Sequence, residues 1–240
     1  MLEKNLLLGV GVTNASENEI LEYILQSLEE KDQKYYIVTP NPEILVYANN
    51  HTDYKKILNN ARLALCDGMG LIWGGKIIGN SFKAKVTGTD LVKSLCERVN
   101  EKPITVGFLG GRPGVAVKAA ECLQKMYPGL EVAFAEEEWP SPSSTVHRPS
   151  SNIDILFVAF GFPKQEEWMS SNLDKIPVKV AIGVGGAFDY LSGRVKRAPK
   201  LIRTIGLEWL FRLVRQPWRA KRQLALLEFI FLIIKERLQS

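Results

Sequence analysis

Apolar runs of strand length alternate with amphipathic stretches of helix length along most of this chain. Leu6 to Val12 predicts a buried strand, after which Asn14 or Ser16 is placed to cap a helix carrying Ile20, Ile24, Leu25 and Leu28 on one side. Tyr35 to Thr39 predicts the next strand. It runs into Thr39-Pro40-Asn41-Pro42-Glu43, a rigid turn whose second proline suits the first turn of a helix through Asn50. Ala61 to Cys66 predicts another strand, closed by Asp67 and a glycine-rich segment to Gly79. Thr87-Gly88-Thr89-Asp90 reads as a helix start with Thr89 as cap and Leu91, Leu95 and Val99 buried. A strand from Ile104 to Leu109, the turn Gly110-Gly111-Arg112-Pro113-Gly114 and a helix from Val115 to Met126 follow. Leu130 to Ala135 adds a strand, and residues 136–152, with Pro140, Pro142, Pro149 and several serines, form an excursion within one domain, because the alternation then resumes. Asp154 to Phe160 and Val178 to Val184 complete the set. Six or seven strands alternating with helices predict an α/β fold with a mainly parallel, Rossmann-like sheet and right-handed crossovers.

After residue 193 the pattern changes to helices with no strand between them, which divides the chain into an α/β domain, 1–193, and a helical appendage, 194–240. Leu224 to Ile234 has Glu228 as its one charge; as a helix it spans roughly 16 Å, about half of a ~30 Å hydrocarbon core. It therefore lies in a membrane interface, packs on protein, or joins copies of the chain in a homo-oligomer. Arg212, Arg215, Arg219 and Arg222 share one face if the helix continues past Pro217, or surround a bend there. Charge sharpens this division. The net charge is +5, yet from Arg194 onward there are 12 Lys or Arg against 3 Glu, so residues 1–193 carry a balance of −4. A basic segment interleaved with Trp209, Phe211, Trp218, Phe229 and Phe231 suits an anionic membrane surface or a nucleic acid; the acidic remainder and the apolar run favour the membrane. Three scattered cysteines without a C-x-x-C pair argue for a reducing compartment and against structural zinc, and the first residues lack the flanks of a signal peptide, so a cytoplasmic protein is expected.

In such folds ligands bind beyond the carboxyl ends of the strands. The expected ends deliver Thr39 and Asn41, Asp67, Lys164 and Gln165, and Asp189 to one rim. Asp67, with Gly68 and Gly70 behind it, either caps the following helix or faces a ligand. Gly110 and Gly111, between a strand and a helix N-terminus, make either a diphosphate seat or a tight βα turn. Neither G-x-G-x-x-G after the first strand nor G-x-x-x-x-G-K-[ST] is present, which weighs against a nicotinamide-dependent enzyme.

Taken in order, Thr39-Pro40-Asn41-Pro42-Glu43, Cys66-Asp67-Gly68-Met69-Gly70, Val86-Thr87-Gly88-Thr89-Asp90, Phe160 to Glu166 with Trp168, Val184-Gly185-Gly186-Ala187-Phe188-Asp189, Ser192 to Pro199, Gly206-Leu207-Glu208-Trp209 and Arg212-Leu213 resemble the WecG/TagA/CpsF glycosyltransferases, family twenty-six of that classification. The resemblance runs from about Val10 to Leu224 and implies transfer of a sugar from a UDP-sugar to a lipid-diphosphate-linked N-acetylglucosamine at the cytoplasmic membrane face. In the TagA-like branch the sugar is N-acetylmannosamine, moved with inversion to begin the wall teichoic acid linkage unit; relatives use its uronic acid or glucose. By this resemblance Asp67 is the general base, Thr39, Asn41 and Gln165 line the pocket, and Arg212, Arg219 and Arg222 lie over the diphosphate. Lys85 stands where the family usually has an arginine, keeping the charge but losing the bidentate fork. With the strand-end positions, the candidate set is Asp67 for catalysis and Thr39, Asn41, Lys85, Gly110, Gly111, Lys164, Gln165, Gly185, Gly186, Asp189, Arg212, Arg219 and Arg222 for substrate. The chain contains no D-x-D, so catalysis is expected to need neither metal nor cofactor, with cations and helix N-termini holding the leaving group.

Overall fold

The computed structural model of the chain describes residues 2–30, 33–140, 152–204, 207–215 and 220–239. Six parallel strands form one sheet in the order β4-β3-β8-β7-β5-β6: β3 (Tyr35–Val38), β4 (Leu63–Ala64), β5 (Thr105–Gly110), β6 (Glu131–Glu136), β7 (Ile153–Ala159) and β8 (Val178–Gly183). This is the α/β class expected from the alternation. Side chains along the strands divide by twos between two cores. Tyr35 and Ile37, Ile155 and Phe157, and Val180 and Ile182 join α1 (Glu17–Glu29), α5 (Gly88–Val99), α6 (Val115–Met126) and α8 (Ala187–Leu191) on one face. Tyr36 and Val38, Leu156 and Val158, and Ala181 face α2 (Pro42–Asn50), α3 (Thr52–Asn60), α4 (Met69–Ile78), α7 (Lys164–Asn172) and part of the C-terminal helix on the other.

The first apolar run departs from expectation. Instead of one strand of the parallel sheet it forms an antiparallel hairpin, β1 (Lys4–Leu7) and β2 (Val10–Thr13), outside that sheet. Leu8 and Gly9 both take positive φ, 50° and 77°, the geometry of a two-residue hairpin turn. A bridge from Thr13 to Leu65 joins the hairpin to the sheet, where the Thr13 hydroxyl accepts from the Ala64 N–H at 3.1 Å, and Leu7, Val10 and Val12 share a core with its strands. The expected strand from Ala61 to Cys66 contracts to Leu63–Ala64, and the glycine-rich segment behind it is helical, as α4. Helix α3, absent from the expectations, fills the interval after Asn50.

Ser16 caps α1 through a reciprocal capping box with Glu19. The cap of α5 is Thr87, not Thr89: its hydroxyl accepts from the Asp90 N–H at 3.2 Å and donates to the Asp90 carboxylate at 2.7 Å. Thr89 is buried inside the helix instead.

Beyond α8 the chain forms α9 (Lys200–Thr204), α10 (Glu208–Arg215) and α11 (Ala220–Gln239). The apolar run sits within α11, and one face of it packs on the body. Phe229 and Ile233 are buried, and a Cβ on Gly74 would stand 2.7 Å from the Phe229 ring, so helix α11 closes onto α4 only because Gly74 has no side chain. Glu236 accepts from the Leu8 N–H at 3.1 Å, tying α11 to the hairpin. On the opposite face Leu224, Leu227, Phe231, Ile234 and Leu238, spaced three and four apart, are exposed. Among the described residues no helix is long and apolar enough to cross a membrane.

Candidate functional site

Four neighbouring strands, β4, β3, β8 and β7, end around a cavity of about 280 Å³. Its walls are Thr39, Asn41, Glu43 and Ile44 after β3, Asp67 after β4, Thr87 to Thr89 at the start of α5, Phe160 to Phe162 and Gln165 after β7, and Val184 to Ala187 after β8. Arg197 and Glu208 close it from the tail. Helices α2, α4, α7 and α8 follow these strand ends and the start of α5 lines the same cavity, so helix dipoles favour an anion at this rim.

Asp67 is half-buried, and its backbone N–H donates to the Pro40 carbonyl at 3.1 Å, which holds the β4 end against the β3 turn. The cap residue of α4 is Gly68, at φ 99°, one position beyond Asp67. Cys66, next to it, is buried, and burial followed by the Asp67 charge pushes its thiol up to about 12, so it is no nucleophile at neutral pH.

Asn41 caps α2, its Oδ1 accepting from the Ile44 N–H at 3.1 Å, and the residue lines the cavity. The Thr39 hydroxyl donates to the Gly183 carbonyl at 2.9 Å and locks the ends of β3 and β8 together. Gln165 is 2% exposed and engaged at both ends: Nε2 donates to Glu166 at 2.7 Å, and Oε1 accepts from the Gly185 N–H at 3.0 Å. It braces the Gly185-Gly186 turn. Glu166 is itself fully buried, and burial raises its carboxyl above the usual range while the Gln165 bond opposes the shift. Tyr54 lies beside it, its phenol also pushed up, by burial and then by Glu166.

Thus Thr39, Asn41, Asp67, Gln165, Gly185 and Gly186 come together at one cavity. Other candidates stand elsewhere. Gly110 and Gly111 are not among its described lining residues; at the seat they were expected to form, the Gly114 N–H donates to the Glu137 carboxylate at 2.8 Å, and a Cβ on Gly110 would meet the Phe160 ring at 2.8 Å. Their geometry is that of the tight βα turn. Lys164 is exposed, with its ammonium 5.1 Å from the centre of the Phe160 ring. Asp189 is half-buried in α8, where its carbonyl accepts from the Val195 N–H at 2.9 Å. Lys85 reaches toward the tail, donating to the Arg203 carbonyl at 3.5 Å. Arg212 and Arg222 belong to α10 and α11, separate helices, and their side chains lie outside the described residues, as does Arg219 altogether.

Sequence reasoning missed Thr87, Gly88, Arg197 and Glu208 as cavity residues. Gly88 carried a signal in retrospect: a Cβ there would stand 2.9 Å from the Val184 carbonyl, so glycine alone lets α5 start against the β8 turn. Arg197 and its partner Asp90 are 107 positions apart, a pairing that no local pattern shows.

The sequence matches the family described as Glycosyl transferase WecG/TagA/CpsF over residues 5–240. It is 32% identical over 213 residues, 88% of this chain and 83% of the relative, to an N-acetylglucosaminyldiphosphoundecaprenol N-acetyl-beta-D-mannosaminyltransferase of Bacillus spizizenii. It is 29% identical to proteins of the same name from Bacillus subtilis, with 95% of this chain and 90% of the relative covered, and from Staphylococcus aureus, with 96% and 92% covered. With the match spanning nearly its whole length, this chain belongs to the WecG/TagA/CpsF family of glycosyltransferases.

Proposed function

We propose that this protein transfers N-acetylmannosamine from UDP-N-acetylmannosamine to N-acetylglucosaminyl-diphospho-undecaprenol with inversion, forming the β-1,4-linked disaccharide of the wall teichoic acid linkage unit. The observation that carries the reading is Asp67, a carboxylate at a strand end that opens on a cavity ringed by helix N-termini. Asp67 takes the proton of the acceptor hydroxyl as its oxygen bonds to the anomeric carbon of the donor. The bond from that carbon to the UDP oxygen breaks, and UDP leaves with the electron pair. The helix N-termini at the rim and arginines of the tail, Arg212, Arg219 and Arg222, hold the charge that develops on the diphosphate. Thr39, Gln165 and the glycine turn keep the β3 and β8 walls in register while Asn41 offers its amide to the sugars.

The transfer needs no metal and no cofactor, and it takes place at the inner face of the membrane, where the basic tail docks on anionic lipid. No nucleic acid is a partner. The test is a donor screen with a short-chain lipid-diphosphate N-acetylglucosamine acceptor, run with and without a chelator. UDP-N-acetylmannosamine is expected to give the disaccharide at the same rate in both; turnover only with UDP-N-acetylmannosaminuronic acid or UDP-glucose overturns the donor assignment, and loss of turnover with chelator overturns metal independence.

A further inference from the structure

The tail meets the catalytic body at one dense polar joint. Arg197 presents its guanidinium as a fork to Asp90, Nη1 to Oδ1 at 2.5 Å and Nη2 to Oδ2 at 2.6 Å, and Nη2 also donates to the Thr87 hydroxyl at 3.2 Å. Its Nε lies 3.6 Å from the Glu208 carboxylate at the start of α10. Arg203 of α9 stands 3.7 Å from the same Asp90 oxygen, and its carbonyl receives Lys85. The side chains of Arg197 and Glu208 are 17% and 18% exposed, so this is no solvated surface pair. Asp90 is also the residue whose N–H and carboxylate complete the cap of α5, the helix that abuts the β8 turn at Gly88. One carboxylate therefore ties the tail to the α5 start, which itself abuts the β8 turn through Gly88.

We infer that the Asp90–Arg197 pair is the joint that fixes the tail over the cavity, and that Arg197 is a positioning residue of the transfer reaction, not a ligand of the donor diphosphate. A cation lining a site that releases UDP invites the second role. The fork geometry assigns the first, because both guanidinium nitrogens that face the body are spent on Asp90 and Thr87 and the third faces Glu208. The inference rests on the glycosyl-transfer reading only for its kinetic readout.

A double-mutant cycle on the full chain tests it, with Asp90→Asn, Arg197→Gln and the two combined, and Arg197→Lys as the conservative variant. Tail docking is read as the rate of thermolysin cleavage beside Leu201, which is exposed and unchanged in every variant. Each single variant is expected to speed that cleavage and lower kcat by about tenfold, with the donor KM within about threefold and the combined variant within about twofold of the worse single one. Arg197→Lys, keeping the charge and losing the fork, falls between wild type and Arg197→Gln in both readouts. Effects that multiply in the combined variant, or a raised donor KM with unchanged cleavage, overturn the inference. Should no UDP-sugar be turned over by the wild-type chain, the transfer reading fails, and the cleavage cycle still decides whether the joint holds the tail.

Discussion

Glu166 is fully buried next to the residue that braces the glycine turn, and its chemistry sets a pH dependence. Burial raises its carboxyl in the folded state above its unfolded value, so the protonated form is the one the fold favours. The sign follows: the stability it contributes is full below the unfolded pKa and is lost as pH rises through the folded one. Glu166→Gln keeps the shape and a neutral group at that position. Across a pH series from the acid side upward, thermal melting of the variant is expected to gain on wild type; a constant difference between the two would show that the Glu166 carboxyl titrates alike in the folded and unfolded chain, and a wild type that gains on the variant would show that the fold favours the ionised form. Asp90 carries the opposite sign. Although burial opposes it, the Arg197 fork, the Thr87 hydroxyl and Arg203 hold its carboxyl below the usual range, so the joint it forms weakens only as pH falls through that lowered value.

At the level of elements, α11 shows how two neighbouring residues of one apolar run do different work. Phe229 is buried against Gly74, whereas Phe231 is 66% exposed on the opposite face. Phe229→Ala is expected to cost about 3–5 kcal/mol in denaturant unfolding, and Phe231→Ala to stay within about 0.5 kcal/mol of wild type. The same helix marks the limit of what the residues told in advance. Strand–helix alternation from Tyr35 to Leu191, the strand ends that carry Thr39, Asn41 and Asp67, and the helix from Val115 to Met126 were all legible, because each rests on local periodicity and local turn chemistry. The N-terminal hairpin was not, because Leu8-Gly9 carries none of the Asn-Gly or Asp-Gly signal of such turns. Thr87 displaced Thr89 as the α5 cap because the choice depends on a side chain two positions from the expected one reaching Asp90. The Gly110-Gly111 turn looked like an anion seat, but a distant carboxylate, Glu137, occupies the Gly114 N–H. Arg197 and Glu208 entered the cavity only through tertiary contacts of the tail with the body.

The whole molecule is polarised, with an acidic body and a tail that holds 12 Lys or Arg. The outward stripe of α11 lies on that basic tail, and this combination supports docking on an anionic leaflet over contact with nucleic acid. Replacing Leu227 and Phe231 with Glu removes two exposed side chains and leaves the Phe229 side of the helix intact. Burial of those two in lipid is worth about 3–6 kcal/mol together, so sedimentation with anionic vesicles is expected to fall roughly a hundredfold or more with unchanged thermal melting. Wild-type binding should also decline with salt and be weaker on neutral vesicles. Unchanged sedimentation of the double variant would assign that stripe to another surface, including a second copy of the chain.

Asp67 stands at the end of a short strand, in a cavity walled by the starts of α2, α5, α7 and α8 and by Arg197 and Glu208 of the tail. The most direct measurement is formation of the lipid-linked disaccharide from UDP-N-acetylmannosamine by wild type and by Asp67→Asn, followed by mass spectrometry at saturating substrates. Wild type is expected to turn over, and the variant, melting as wild type does, to lose about 10²–10⁴ in kcat. A folded Asp67→Asn protein with near-wild-type turnover would contradict the assignment of Asp67 as the base.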